Sequence, residues 1–484
     1  MDAVHESDGW GGARVSRRKV LQGAGAGVGL ALVGTGPARA TPATLAKHHA
    51  ADVLHGWVAA LYRSQGQAWA WPTMAARFYG LAMLAGWEAV VDGVPNRRSL
   101  GGRLNGLGTS PVAGAKKVHW PIAANAAIGH VAAATAVGVP GPGGLDRTPA
   151  VREGLVSHRQ STHAALSRGV AASTVNAAVR HGEAVGRWLV TWAAADGFDQ
   201  RDAGATYVPP VGPGLWVTTH PNFGAAIEPN WHRVRPFALQ VTRDANGRAV
   251  CPAAPTPPIP YDPTPGSAFH REAMVVVDAQ ANLTDAQRMT AMYWRDNPDG
   301  VTGLPAGHWM GIASAAAEDS GKDLGDAAEV LALTAICIAD AFTSCWIEKY
   351  RTNLLRPISY IRDHINPGWT TFVNTPAFPE YTSGHSVGSA AAAHALTTLL
   401  GNRSFVDRHS EGRRVTGNPS GTAYTLTARR FTSFTAAADE AASSRLWGGI
   451  HYPMGISHGL TQGRRVAELV MATARTTPGN SPAR

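Results

Sequence analysis

The sequence predicts an all-α fold in two subdomains, and three observations predict it. From about Leu45 to Ala195 the chain runs in alanine-rich stretches with apolar residues three or four apart, as in Ala75-Ala76-Arg77-Phe78-Tyr79-Gly80-Leu81-Ala82-Met83-Leu84. That spacing gives a helix one apolar face. The same pattern resumes from Asp285 to about Ala474. At 484 residues the chain is long for one hydrophobic core, so two subdomains are expected. No segment repeats at a period of roughly 20–50 residues, which excludes a repeat architecture.

The elements follow in order. Ser16-Arg17-Arg18-Lys19-Val20-Leu21 reads as a twin-arginine export motif, with a Gly/Ala/Val/Leu stretch to Val33 and Ala38-Arg39-Ala40 as a cleavage site. Residues 1–40 are therefore expected to be a signal peptide, and the mature protein to be secreted. A first helical region spans 41–200, in which Asp92-Gly93-Val94-Pro95 is a turn that ends a helix. A Pro/Gly-rich connector follows over 201–270, with proline clusters at Val208-Pro209-Pro210 and from Pro255 to Pro260. So long a stretch without periodicity is either functional or tightly packed. The second helical region runs over 271–475, and 476–484 is a disordered tail.

Composition excludes several classes. Net charge is +9, but no Lys/Arg run of nucleic-acid type follows residue 40, and basic stretches are not interleaved with aromatics, so nucleic acid is not an expected partner. An anionic ligand would gain from the excess. No later stretch reaches the roughly eighteen uninterrupted apolar residues of a spanning helix, so no integral membrane segment is expected in the mature chain. Of the three cysteines, Cys337 and Cys345 are eight apart on a helix, about 12 Å at the helical rise and too far to bridge.

Three segments in the last third carry the chemistry: Lys349 to Pro357 (K-x6-R-P), Ser383-Gly384-His385, and Ser444 to His451 (S-R-x3-G-x-H). Lys349, Arg356 and Arg445 are cations at neutral pH. Ser383 offers a hydroxyl and Gly384 an approachable backbone N–H, at the start of an Ala-rich helix whose N-terminus favours anions. His385 and His451 offer one ligand or nucleophile and one acid/base. That inventory suits a tetrahedral oxyanion, with charge-assisted bonds to equatorial oxygens and a group at each apex. A metal cation is not indicated: there is no H-E-x-x-H or Asp-rich loop, and three cations would repel one.

The three motifs, in this order, resemble those of the superfamily shared by vanadium-dependent haloperoxidases and type 2 phosphatidic acid phosphatases. The middle segments Pro213-Gly214-Leu215-Trp216 and Pro229-Asn230-Trp231 through Val234-Arg235-Pro236-Phe237 resemble bacterial members of the haloperoxidase group. The resemblance implies two helical bundles with the site in the core of the C-terminal one. It also implies vanadate as cofactor, ligated by His451 and held by Lys349, Arg356, Ser383, Gly384 and Arg445, with phosphate able to occupy the same place. His385 would act as acid/base, Lys349 would polarise the peroxide, and hydrogen peroxide, a halide and a small organic acceptor would be the reactants. Bromide is the expected halide, with chloride slower. The alternatives are an acid phosphatase acting through a phosphohistidine and a non-catalytic secreted oxyanion-binding protein. A homo-oligomer is compatible with the sequence.

Other residues are read both ways. Trp346 is either a core aromatic or the family's tryptophan beside the anion. Phe378 resembles the pocket aromatic of chloroperoxidases, with Leu355 and Tyr381 expected on the same wall. Asp296 is either a solvated carboxylate at a helix end or the counter-charge that a buried arginine needs, and His308 is a second candidate of that kind. Two departures from the family stand out: Thr382 replaces a usual proline before Ser-Gly-His, and Gly455 replaces the usual aspartate four residues after His451, removing a group that would orient its ring.

Overall fold

The computed structural model describes residues 45–477, apart from 116–117, 139–144, 205, 221, 298–302 and 417–419. The export signal read in residues 1–40 lies outside the described residues. Thirteen α-helices and three two-stranded antiparallel ribbons occur among those described. The first helical group is α1 (Asp52–Ala68), α2 (Pro72–Val90), α3 (Trp120–Thr135), α4 (Thr148–Leu166) and α5 (Ala172–Ala194). The second is α6 (Ala268–Ala281), α7 (Asp285–Tyr293), α8 (Leu304–Asp319), α9 (Leu324–Thr352), α10 (Pro357–His364), α11 (Gly384–Leu400), α12 (Phe434–Trp447) and α13 (Pro453–Thr473).

Local chemistry explains the boundaries. Pro72 opens α2, where its missing N–H costs nothing, and every residue from Thr73 to Val90 is buried. Helices resume at Ala268, earlier than the Asp285 periodicity suggests, because Ser267 Oγ accepts from His270 N at 3.0 Å and caps α6. Between Val94 and His119 the described residues form no α-helix, so the first region is less continuously helical than its composition implies. The ribbons pair β3 (Phe405–Asp407) with β6 (Arg429–Phe431) and β4 (Arg414–Val415) with β5 (Tyr424–Thr425), besides β1 (Thr242–Arg243) with β2 (Ala249–Val250).

Helix α9 organises the core. It begins where Asp323 Oδ1 accepts from Asp326 N at 3.0 Å and ends at Asn353 in a left-handed conformation. It packs against α2 of the first group and against α8, α11 and α13 of the second. By length and composition it could cross a membrane, but its apolar window is wholly buried inside the protein. One cluster of buried apolar side chains runs from Ala46 to Ala474. The proline-rich connector is fastened to α9: buried Asp340 accepts from the backbone N–H groups of Phe237, Ala238 and Leu239 at 2.7, 2.7 and 2.9 Å. Burial raises the Asp340 carboxyl to about 6. At the other end of the chain, Thr476 is buried and its carbonyl accepts from Arg98 N at 2.8 Å, so packed structure continues past residue 475.

Helices α11 and α13 approach unusually closely, and the site sits where they begin. A Cβ on Gly463 would lie 2.1 Å from Val387 O, and one on Gly459 would lie 2.9 Å from Ser386 Cβ. Only glycine permits that separation. Ser383 N donates to Gly455 O at 3.0 Å, which ties the two helix starts together.

Candidate active site

Four segments converge on one cleft. Gly384, His385, Arg445 and His451 line it, with Trp346, Phe342 and Phe378 as apolar walls and Asp296 on its border. Lys349, Arg356 and Ser383 are fully buried immediately behind that surface. Arg445 comes from the last turn of α12, and Gly449 at φ +76° lets the chain reverse, a conformation that costs glycine nothing. His451 then stands just before α13.

The two histidines are held differently. His451 Nδ1 lies 2.7 Å from Glu380 Oε1, and its Nε2 lies 3.2 Å from an Arg356 Nη1. A carboxylate accepts and a guanidinium donates, so Nδ1 carries the proton and Nε2 presents a lone pair. Burial, then the charges of Arg356 and Lys349, push the His451 pKa well below its ordinary value, and the ring is neutral. His385, in the first turn of α11, is bonded through one nitrogen to a backbone group of Trp294. Its Nε2 is buried with no hydrogen-bond partner among the described residues. Burial and Arg445 hold its pKa well down too.

The cations are anchored by carbonyls. Arg356 donates from Nε to Phe378 O and from Nη1 to Ile450 O, both at 2.8 Å, leaving a buried Nη2 without a partner among the described residues. Arg445 donates to Ala291 O at 3.1 Å and Ser444 Oγ at 3.0 Å. Burial brings both guanidinium pKa values down to about 10, so both stay charged. Lys349 differs from its sequence-derived role. Its Nζ donates to Pro379 O, Glu380 O and Thr382 O at 2.9, 2.9 and 2.6 Å, so all three hydrogens are engaged by backbone. Burial lowers its pKa to about 7. It reaches an anion only by exchanging one of these bonds.

Glu380 is the residue that sequence reasoning missed. Burial raises its carboxyl to about 7; Oε1 also accepts from Tyr452 N at 3.1 Å. A Cβ on residue 455 would lie 2.3 Å from Glu380 Oε1 and 2.8 Å from Oε2. The glycine that seemed to remove an orienting carboxylate is what makes room for one arriving from another segment. A signal was present: Glu380 is the only Asp, Glu, Lys or Arg between Asp363 and Arg403.

The remaining candidates divide. Trp346 and Phe378 are in contact, ring centroids 5.0 Å apart, and Lys349 Nζ and Arg356 Cζ lie 4.9 and 4.8 Å from the Phe378 ring, within cation–π range. Leu355 and Tyr381 belong instead to a separate apolar cluster with Tyr452 and Phe269, because the Tyr381 hydroxyl turns away to His458 Nδ1 at 2.7 Å. His308 is not at the cleft surface. It is wholly buried between Asp296 (3.0 Å) and Asp407 (2.7 Å) and stacks on Trp294. Burial opposes its charge, but the two carboxylates outweigh that and raise it to about 10. Asp296 borders the cleft at φ +42°, and its charge favours the ionised Arg445.

The second helical-bundle domain of VCPO, as a family model, matches residues 329–479. No curated protein sequence matches the chain. Among solved structures, that of the first bacterial vanadium-dependent iodoperoxidase is 30% identical, with a TM-score of 0.77, covering 91% of this chain and 99% of that one. A holo-type bacterial vanadium-dependent chloroperoxidase is 15% identical at TM-score 0.61, covering 84% and 92%. Its apo-type counterpart is 16% identical at 0.60, covering 84% and 93%, and these two show a shared fold. The converged motifs, the helical architecture and the likeness along nearly the whole chain place this protein in the family of vanadium-dependent haloperoxidases, oxidoreductases that use peroxide.

Proposed function

We propose that the chain is a secreted enzyme that uses hydrogen peroxide to oxidise iodide and bromide, and chloride more slowly, with vanadate held at His451. The observation that carries this reading is the neutral His451, its Nδ1–H held by Glu380 and its unprotonated Nε2 facing the Arg356 guanidinium, a bond that Nε2 would exchange to become a ligand. The donor set fits an oxyanion. Arg356 Nη2 and His385 Nε2 are buried and unpartnered among the described residues. A Cβ on Gly384 would meet nothing closer than 3.6 Å, so protein packing does not require glycine there. Bound vanadate would supply a Lewis-acidic centre that activates peroxide toward halide without changing redox state.

The protein's part follows from these groups. His451 gives Nε2 as the ligand, and Glu380 keeps the proton on Nδ1. Arg356 and Arg445 supply positive charge, and Gly384 N–H and Ser383 Oγ–H add donors at the N-terminus of α11. His385 Nε2 accepts and returns a proton at the cleft surface. Lys349, near neutrality alone, takes up a proton when anionic charge enters beside it. Phe378, Trp346 and Phe342 exclude water from one side of the site. The iodoperoxidase similarity supports iodide, and the apolar Phe378 wall supports bromide. The twin-arginine motif supports export. With Glu380 restoring the carboxylate partner, a phosphohistidine is chemically available too, so the test must separate the two. Halide oxidation, followed as triiodide from iodide and as monochlorodimedone bromination, should need orthovanadate and be inhibited by phosphate. Phosphate-ester hydrolysis without vanadate, and no halide oxidation with it, would reverse the assignment.

A further inference from the structure

Asp296 and Arg445 both line the cleft and feel each other's charge, yet they do not bond. Arg445 donates to Ala291 O at 3.1 Å and to Ser444 Oγ at 3.0 Å. Among the described residues no hydrogen bond or ion pair joins it to Asp296. That separation needs a cause. The two side chains belong to residues only 3% and 1% exposed, and a carboxylate beside a guanidinium forms one of the strongest hydrogen-bonded pairs that side chains make.

The cause lies on the other side of the carboxylate. His308 Nδ1 is 3.2 and 3.0 Å from Asp296 Oδ1 and Oδ2, and its Nε2 is 2.7 Å from Asp407 Oδ2. An ionised carboxylate only accepts, so a ring between two of them donates from both nitrogens and is an imidazolium. The raised pKa of about 10 agrees. This ring cannot follow Asp296 toward the cleft. It stacks on Trp294 with centroids 4.4 Å apart. Asp407 is fixed in turn by the Tyr293 hydroxyl at 2.5 Å and the His409 N–H at 2.9 Å. With both nitrogens engaged, His308 has none with which to pass a proton to the cleft, so a relay is not its part.

We propose that His308 is a positioning residue: anchored on Asp407, it draws the Asp296 carboxylate away from Arg445 and so leaves that guanidinium open to an oxyanion. The proposal rests on the oxyanion-site reading of the cleft. Asp296 then serves Arg445 at a distance, favouring its charge without occupying its donors. Without the imidazolium, Asp296 would be a buried carboxylate with no partner, which is costly. The nearby cation that can satisfy it is Arg445. The pair would neutralise the charge on which anion binding depends.

Calorimetric titration of the vanadate-free protein with orthovanadate, and separately with inorganic phosphate, tests this. Turnover is not the readout, because Trp294, two residues before Asp296, also bonds His385. His308→Gln should weaken both anions at least tenfold. Asp296→Asn removes the carboxylate with little change of shape and should bind both at least as tightly as the wild type. His308→Gln/Asp296→Asn removes one charge of each sign, so the net charge of the cluster is unchanged. With no carboxylate left to turn on Arg445, its affinities should return to within threefold of wild type. A merely structural role for His308 would give no such rescue. Unchanged affinity in His308→Gln, or a double variant no tighter than that single one, overturns the proposal, as does tenfold weaker binding in Asp296→Asn. Should His308→Gln fail to fold, Asp296→Asn decides by the same criterion. Wild-type protein that binds neither anion would instead overturn the oxyanion-site reading, and binding of phosphate without orthovanadate would overturn the haloperoxidase reading.

Discussion

Moving one carboxylate between two positions tests how His451 is held. Glu380 Oε1 is 2.7 Å from His451 Nδ1, and a Cβ at residue 455 would lie 2.3 Å from that same oxygen. In aspartate the carboxylate oxygens stand about 2.4 Å from Cβ, given bond lengths near 1.5 and 1.2 Å. Gly455→Asp can therefore place an oxygen close to where Glu380 Oε1 now is, but only if Glu380 is truncated. Glu380→Ala removes a bond to a charged group, about 1.5–3 kcal/mol, so orthovanadate should bind roughly 10- to 100-fold more weakly. Gly455→Asp alone overpacks the site and sets two carboxylates together, a cost of about 1–3 kcal/mol or more that should lower Tm. Glu380→Ala/Gly455→Asp should recover most of the lost affinity. Calorimetric titration of orthovanadate measures the affinities, and 15N NMR of the imidazole reports whether Nδ1 keeps its proton. Wild-type affinity in Glu380→Ala, or a double variant no better than that single one, would refute the reasoning.

The two histidines should separate by phenotype: His451→Ala loses tight vanadate retention, whereas His385→Ala retains vanadate and loses turnover, and equal loss of binding in both would show the roles wrongly divided. Phe378→His should lose chloride oxidation before bromide oxidation. Its pH–rate profile should gain an ionisation below the ordinary histidine value of about 6.5, since Lys349 and Arg356 flank that ring; a gain of chloride activity would contradict this. The His308 cluster sets a stability trend. Its pKa of about 10 in the fold exceeds the ordinary histidine value of about 6.5, so the stabilisation is complete below about 6.5 and is lost as pH rises through 10. Tm should fall over that window, and Asp407→Asn should flatten the fall; an unchanged slope would detach His308 from it.

The helical architecture was legible because α1 to α5 and α7 to α13 advertise themselves by alanine-rich, three-to-four periodicity; α6 was not, because it lies before the stretch where that periodicity resumes. The ribbons near residues 405–431 were not, since strands of two or three residues are too short to show alternation. Lys349, Arg356, Ser383, Gly384, His385, Arg445 and His451 were legible as a set because their spacing is fixed within helix turns and tight loops. Glu380 was not, because its relation to His451 depends on the packing of α13 against α11 through Gly459 and Gly463, a tertiary fact. For the same reason, Lys349 could be assigned to the site but not its three backbone acceptors. His308 reads as a lone histidine until Asp296 and Asp407, from distant segments, are found on either side of it.

Orthovanadate titrated into vanadate-free protein, with triiodide formation as the readout, tests the central claim most directly. The account predicts no activity at the start and a rise along a single-site isotherm to one vanadate per chain. It also predicts competitive displacement by phosphate and no rise in His451→Ala. Halide oxidation that is independent of vanadate, or that persists unchanged in His451→Ala, would contradict it.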